Sequence, residues 1–67
     1  MKIWTLVWFL VLPPNDDGFT EWEYGQNTNI TFSECAEQLA ENDSDYRIMM
    51  QDNEILGYEI YCRETKK

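Results

Sequence analysis

Histidine is absent from this 67-residue chain, and cysteine occurs only twice. A structural zinc site of the usual four Cys or His ligands cannot be built from one such chain, and a hydrolytic triad with an imidazole base is excluded as well. Glycine and proline are also scarce, and 43% of the residues are apolar, which is too hydrophobic for a disordered acidic tail. No nucleophile, base or cofactor loop stands out, so we expect neither enzymatic activity nor a cofactor.

Basic residues are few, with 5 Lys and Arg against 13 Asp and Glu, and the net charge is -8. This balance argues against direct binding to nucleic acid, whose phosphates require a positive surface, and against binding to an anionic membrane. A chain this short buries only about 60% of its unfolded surface and has room for one core. We therefore expect a single domain over residues 1–67.

The longest apolar run extends from Ile3 to Leu12, and it can be interpreted as a targeting segment or as a strand. It is about half the length of a membrane-spanning helix, and no small-residue cleavage site follows it. Its β-branched and aromatic residues, which include Trp4 and Trp8, favour the strand.

Turn-forming residues follow this run from Pro13 to Gly18 and predict a hairpin. The returning strand is expected over residues 19–24, with a loop over residues 25–29. Thr31-Phe32-Ser33-Glu34 then forms a capping box, so a helix should begin here, with Ile30 packed on Cys35 as a hydrophobic staple.

The helix is expected to end near Glu41, because Asn42-Asp43-Ser44-Asp45 compete with helical hydrogen bonds. Its buried stripe is predicted to consist of Phe32, Cys35, Ala36, Leu39 and Ala40. Two strands should follow, over residues 46–51 and 55–63, with a tight turn between them and a frayed tail over residues 64–67. The predicted fold is α+β, a small antiparallel sheet in the order β-β-α-β-β with one helix packed across one face.

The first strand is apolar on both faces, although one helix can cover only one of them. Either flanking segments shield the second face, or a partner or a second copy of the chain covers it. We expect a homodimer through this strand, since a wet apolar strand favours aggregation.

Cys35 and Cys62 leave three alternatives: a disulfide, two buried thiols, or a redox pair. Both residues are predicted on buried faces, so they could touch, and a bridge would stabilise the domain by about 3 to 4 kcal/mol. Reduced buried thiols are favoured in a cytoplasmic protein. A redox role is the least favoured, because neighbouring acids raise the pKa of a thiol.

The acids do not have the spacing of a calcium-binding EF-hand loop, so we expect no metal site. An acidic surface that coexists with three tryptophans in so short a chain instead favours binding to a basic protein surface. The candidate partner-binding residues are Trp4, Trp8, Glu21, Trp22, Glu23, Glu34, Glu37 and Glu41.

Three segments, Met1 to Leu12, Ser33-Glu34-Cys35-Ala36 and Tyr61-Cys62, carry a family resemblance. In size, acidity and element order the chain is similar to very small orphan proteins of tailed bacteriophages, particularly those of marine phages. In layout it also resembles the acidic phage protein that inhibits host RNA polymerase, a hairpin followed by an acidic helix and a further strand. It departs from that layout in a fourth predicted strand and a more apolar first strand.

The resemblance implies a cytoplasmic protein that binds and disables a host component. Two functions follow as expectations. The first is a non-enzymatic inhibitor or adaptor that docks on a basic site of a host protein, such as a nucleic-acid-binding enzyme. The second is a small structural or accessory protein that self-associates through its first strand.

Overall fold

A computed structural model describes residues 2–65 and contains strands β1 (Trp4–Val11), β2 (Trp22–Ile30) and β3 (Gly57–Glu64) and helix α1 (Phe32–Gln51). The strands form one antiparallel sheet in the order β2-β1-β3. The predicted α+β class is confirmed. The predicted order β-β-α-β-β is wrong, since residues 46–51 belong to the helix and the sheet has three strands.

The apolar N-terminal run is the central strand of the sheet, as its β-branched and aromatic residues predicted. One edge of β1 pairs with β2 and the other with β3, so neither edge is free to pair with another chain. Leu6 and Leu10 of this strand are buried, and so is Val7, whose side chain points to the opposite face. A central position therefore explains why the strand is apolar on both sides.

The predicted hairpin joins β1 to β2, and Asn15 organises its loop. The Asn15 side-chain oxygen accepts hydrogen bonds from the amides of Asp17 and Phe19 at 3.0 and 3.1 Å. Gly18 has a φ of 82°, a conformation that glycine adopts without steric cost. The loop thus reverses the chain through local hydrogen bonds and one left-handed residue.

Residues 25–29, expected to be a loop, are part of β2. Gly25 lies opposite Trp8, and a Cβ at position 25 would overlap the Trp8 indole, so this strand glycine marks a close approach of ring and backbone. Nearer the helix, the ladder shifts by one residue between the Trp4 and Leu6 pairs, and Asn29 has a φ of 65°. This bulge reverses the alternation, so that Ile30 points into the core.

Helix α1 begins at the predicted capping box. The Glu34 amide donates to the Thr31 hydroxyl at 3.1 Å, and the Thr31 amide donates to the Glu34 carboxylate at 3.3 Å. Ile30 and Cys35 are both buried and belong to one cluster, in agreement with the predicted staple. The sequence therefore predicted the start of this helix correctly.

The end of the helix lies ten residues beyond the predicted position near Glu41, at Gln51. It ends in a Schellman motif, in which the amides of Asn53 and Glu54 donate to the carbonyls of Met50 and Met49. Asn53 takes the left-handed conformation of this motif, with a φ of 61°. The predicted turn at residues 52–54 thus exists, but it joins a helix to a strand.

The core lies between the helix and the sheet. Leu6, Ile30 and Cys35 form its buried cluster, and the half-buried residues packed against it are Trp4, Trp8, Leu39, Ile60 and Cys62. Ala36 and Ala40, expected on the buried stripe, are exposed. Phe32 is also exposed, but its ring packs on that of Trp4 at a centroid distance of 4.8 Å.

The C-terminal residues take part in the sheet further than expected. Glu64 belongs to β3, and the Thr65 amide donates to the Ile3 carbonyl at 2.9 Å. The hydroxyl of Thr65 also bonds to that of Thr5, which is buried. Residues 66–67 of the predicted tail lie outside the described residues.

Candidate functional site

One face of the sheet is left uncovered by the helix. We call it the open face; the register and the strand alternation assign to it Thr5, Val7, Phe9, Val11, Trp22, Tyr24, Gln26, Thr28, Gly57, Glu59, Tyr61 and Arg63. The opposite side chains of β1 and β3, such as Leu6, Trp8 and Ile60, pack beneath the helix. A two-layer fold with one helix therefore leaves this sheet surface without a covering layer, although neighbouring side chains bury Thr5 and Val7 within it.

Aromatic side chains dominate the open face. Trp22 is 69% exposed, Tyr24 56% and Tyr61 37%. The Phe9 and Tyr24 rings are already packed together, with their centroids 4.9 Å apart. Large exposed aromatic rings on one side of a rigid sheet are typical of an interaction surface.

A groove of about 400 Å³ crosses this face at its hairpin end and is lined by Phe9, Val11, Trp22, Tyr58 and Glu59. Val11 pairs with Trp22 on one side and with Gly57 on the other. Gly57 has no side chain to fill the surface beside Val11, and a Cβ built there would have no atom within 4 Å. Gly57 therefore leaves the surface beside Val11 open at the start of β3, next to the groove.

Charge is sparse on the open face. Glu59 and Arg63 are its charged residues, and they lie four positions apart on β3. At about 3.4 Å per residue, this separation places them about 14 Å apart. Glu59 lines the groove, whereas Arg63 pairs with Thr5 near the other end of the sheet. Among residues 2–65, the lining of the groove thus contains a carboxylate at its edge and no cationic side chain.

The candidate acids lie elsewhere. Glu34, Glu37 and Glu41 are exposed on the helix, and the Glu34 carboxylate is engaged by the capping box. Glu23 pairs with Leu10 and therefore points to the helix side of the sheet, and Glu21 lies at the end of the hairpin loop. The acidic surface and the aromatic surface, expected to coincide, are thus on different sides of the molecule.

The three tryptophans have separate environments. Trp22 lies on the open face, whereas Trp4 and Trp8 are half-buried and packed against the core beneath the helix. Trp8 also covers the backbone at Gly25. We therefore assign Trp4 and Trp8 to the stability of the fold, and only Trp22 to the candidate site.

Cys35 and Cys62 form a disulfide with a Cα to Cα distance of 6.2 Å. Cys35 is fully buried in the first turns of α1, and Cys62 lies in β3 beneath the helix. Of the three alternatives that the sequence left open, the structure shows the bridge, and the favoured alternative of two reduced buried thiols is wrong. It fastens the start of the helix to the last strand.

Polar side chains fasten the second half of the helix. Asp43 accepts hydrogen bonds from the Tyr58 hydroxyl at 2.6 Å and from the Arg47 guanidinium at 2.7 Å. Tyr46 packs on Tyr58 at a centroid distance of 5.6 Å. Burial raises the pKa of Tyr46 above its ordinary value of 10.0, and Glu23 and Asp45 raise it further. Asp43, Arg47 and Tyr58 bond to one another and the Tyr46 ring packs on Tyr58, so we interpret this cluster as structural.

Sequence reasoning missed most of the open face. Phe9, Tyr24, Gly57, Glu59 and Tyr61 were not among the candidate residues, although they line it. Two features of the sequence could have indicated this face. They are the apolar side chains on the second face of β1 and the glycine, Gly57, within the last predicted strand. Within residues 2–65, no three carboxylate or cysteine side chains come together as metal ligands do.

The helix that the structure describes within residues 2–65 is not apolar enough over its length to cross a membrane. Comparisons of the chain with protein-family models, with curated proteins and with solved structures return no significant match.

Proposed function

We propose that this chain is a non-enzymatic protein-binding domain that docks through its open face on a partner with a basic surface. The observation that supports this proposal is the uncovered aromatic surface of Trp22, Tyr24 and Tyr61 on a rigid sheet. Aromatic rings supply much of the contact energy in protein interfaces, because they bury large areas with little loss of side-chain freedom.

The acids act on the partner through long-range electrostatic attraction. A net charge of -8 attracts a basic partner over long range, and such attraction mainly raises the association rate. The exposed carboxylates of Glu37 and Glu41 lie on the helix side, away from the open face. We therefore assign attraction to the acids and contact to the aromatic rings.

The resemblance to small acidic phage proteins adds the identity of the partner to the proposal. The partner is a host protein, such as a nucleic-acid-binding enzyme, and the domain acts on it as an inhibitor or adaptor. Inhibition would then be by competition for a nucleic-acid site: the net negative charge draws the domain to the basic surface that binds phosphate groups, and the open face covers part of that surface.

A second candidate function is self-association. The open face carries one negative and one positive residue, so two copies could stack there without a large local charge repulsion. Both edges of β1 are paired, hence a dimer that uses the first strand has to use Phe9 and Val11 on this face. Light scattering over a concentration series would show a dimer if this alternative holds.

The proposal is tested by affinity capture from a host-cell lysate. The tagged protein and three variants serve as bait, and mass spectrometry identifies the protein that they bind. Trp22→Ala and Tyr24→Ala truncate exposed rings on the open face, and Ile48→Ala truncates a side chain on the helix that is 53% exposed. We expect the two open-face variants to lose the captured protein and Ile48→Ala to retain it. Equal capture by wild type and both open-face variants would overturn the proposal.

Binding rates to the captured protein provide the second measurement. Glu37→Gln with Glu41→Gln should slow association at low salt, and 0.1 M salt should reduce the difference, because charges are screened beyond about 10 Å. Trp22→Ala should instead speed dissociation. If neither salt nor the two Glu substitutions change the association rate, the acids only keep the domain soluble.

A further inference from the structure

We propose that the groove on the open face binds an arginine side chain of the partner, with the guanidinium stacked on Trp22 and paired with Glu59. This inference rests on the proposed function and names the chemistry that the site recognises. It starts from the lining of the groove, which includes Trp22 and Glu59. These two residues belong to the strands on either side of β1.

The spacing of the strands on either side of β1 can accommodate a planar cation. Trp22 belongs to β2 and Glu59 to β3, the two strands that flank β1. Neighbouring strands lie about 4.8 Å apart, and Trp22 and Glu59 pair with Val11 and Phe9, which are two residues apart along β1, so the ring and the carboxylate are attached to Cα atoms about 12 Å apart. This spacing leaves room for one flat group above Phe9 and Val11, between an aromatic ring and an acid.

The chemistry of the lining favours a cation over a neutral apolar group. An indole ring attracts a cation placed over its face, and a carboxylate forms two parallel hydrogen bonds with a guanidinium. Within residues 2–65 the ion pair joins Arg47 to Asp43, which leaves the Glu59 carboxylate without a cationic partner in that range. The groove therefore offers both halves of an arginine site.

Arginine is preferred to lysine for a geometric reason. Its guanidinium is flat and can stack on the indole while its edge faces the carboxylate, whereas an ammonium is a compact, strongly hydrated point charge. Gly57 keeps the space beside Val11 free for the arginine stem. A side chain at this position would occupy the proposed site.

The test uses tetra-arginine amide as the probe, with tetra-citrulline amide as its neutral analogue and tetra-lysine amide as the alternative cation. Binding is followed by the NMR shift of the Trp22 indole N–H. We expect saturable binding of the arginine peptide, and binding at least tenfold weaker for the citrulline peptide. Failure of the arginine peptide to bind, or equal affinity for the citrulline or lysine peptide, would overturn the inference.

Three variants locate the binding. Gly57→Val should fill the groove and weaken binding more than tenfold, while the unfolding free energy is retained or increased, because valine favours strands. Glu59→Gln should weaken it about three- to fivefold, in the range of an exposed cation–π or ion-pair contact. Glu64→Gln is the matched control, since it removes the same charge from the same strand on the helix side.

Equal effects of Glu59→Gln and Glu64→Gln would mean that only the net charge attracts the peptide, and would overturn the inference. So would undiminished binding by Gly57→Val. The proposed function is judged separately: capture that depends on Trp22 and Tyr24 but not on Gly57→Val would sustain the docking surface and reject the arginine site. If Trp22→Ala captures the partner as well as the wild type does, the docking surface itself is rejected.

Discussion

The hydroxyl of Tyr58 in β3 donates a hydrogen bond of 2.6 Å to the carboxylate of Asp43 in the middle of α1. The other carboxylate oxygen accepts from Arg47 one helical turn later, at 2.7 Å. Aspartate usually weakens the interior of a helix, but here Tyr58 and Arg47 each bond to one oxygen of the Asp43 carboxylate. This contact fixes the second half of the helix over the sheet.

We expect Tyr58→Phe to lower the free energy of unfolding by about 1 to 2 kcal/mol, because the Asp43 carboxylate loses a charge-assisted hydrogen bond. Arg47→Gln should cost less than about 0.5 kcal/mol, since an exposed helical ion pair contributes little. Urea denaturation measures both. The losses in unfolding free energy caused by Tyr58→Phe and Asp43→Asn should not add up in the double variant. Full additivity would show that the two side chains do not interact.

The Cys35–Cys62 disulfide closes a loop with a sequence separation of 27, so we expect its loss to cost about 3 to 4 kcal/mol. Urea denaturation with and without a reducing agent measures this difference, and the Cys35→Ala, Cys62→Ala double variant controls for the agent. Indistinguishable midpoints would contradict the expected contribution of the bridge.

The same disulfide bears on the compartment. Disulfides persist in oxidising surroundings, whereas the cytoplasm keeps most thiols reduced. The disulfide therefore does not support the cytoplasmic location, which stays a prediction from the sequence. Alkylation of free thiols in freshly lysed source cells, followed by mass spectrometry, would show modified Cys35 and Cys62 if the protein works in the reducing cytoplasm.

Asn29 occupies a left-handed conformation at the β2 bulge, with a φ of 65°. Asn29→Val should destabilise the domain by about 1 to 2 kcal/mol, because a β-branched residue is strained there. Asn29→Gly is the matched control and should be close to neutral, since glycine adopts this conformation readily. Thermal unfolding compares the two. Equal effects would show that side-chain contacts, not backbone conformation, select asparagine.

Tyr46 should make the stability of the domain depend on pH in the alkaline range. Burial raises its pKa most, and the charges of Glu23 and Asp45 raise it further. The folded state holds this proton more tightly than the unfolded state, whose tyrosine pKa is about 10. The associated stability is present below about pH 10 and is lost as the pH rises through the higher pKa of the folded state. Tyr46→Phe should therefore lose less stability between about pH 9 and 11 than the wild type.

A control for this experiment is Tyr61→Phe, which removes a phenol from the open face. It should leave the alkaline loss close to that of the wild type. Denaturation curves at several pH values measure all three proteins. An unchanged alkaline loss in Tyr46→Phe would assign the effect to other groups.

Local interactions could be predicted from the sequence because they involve neighbouring residues. Thr31 and Glu34 are three positions apart, and their reciprocal hydrogen bonds start the helix wherever the chain lies. The same holds for the hairpin turn, which Asn15 and Gly18 stabilise within one loop. The composition of the first strand likewise predicted its extended conformation.

Contacts between distant residues decided the rest. Asn42 to Asp45 resemble a helix end, and only the approach of Tyr58 to Asp43 shows why the helix continues. The bulge at Asn29 needs β1 as its partner, so the direction of Ile30 could not be predicted from β2 alone.

The sequence by itself determined the α+β class, the acidity, the helix start and the apolar first strand, since each depends on composition or on short spacings. The tertiary structure alone decided which tryptophan is exposed, which sheet face is covered and whether the cysteines meet. Those properties depend on strand order and register, which bring together residues as distant as Trp22 and Glu59. Their separation in sequence carries no signal of that proximity.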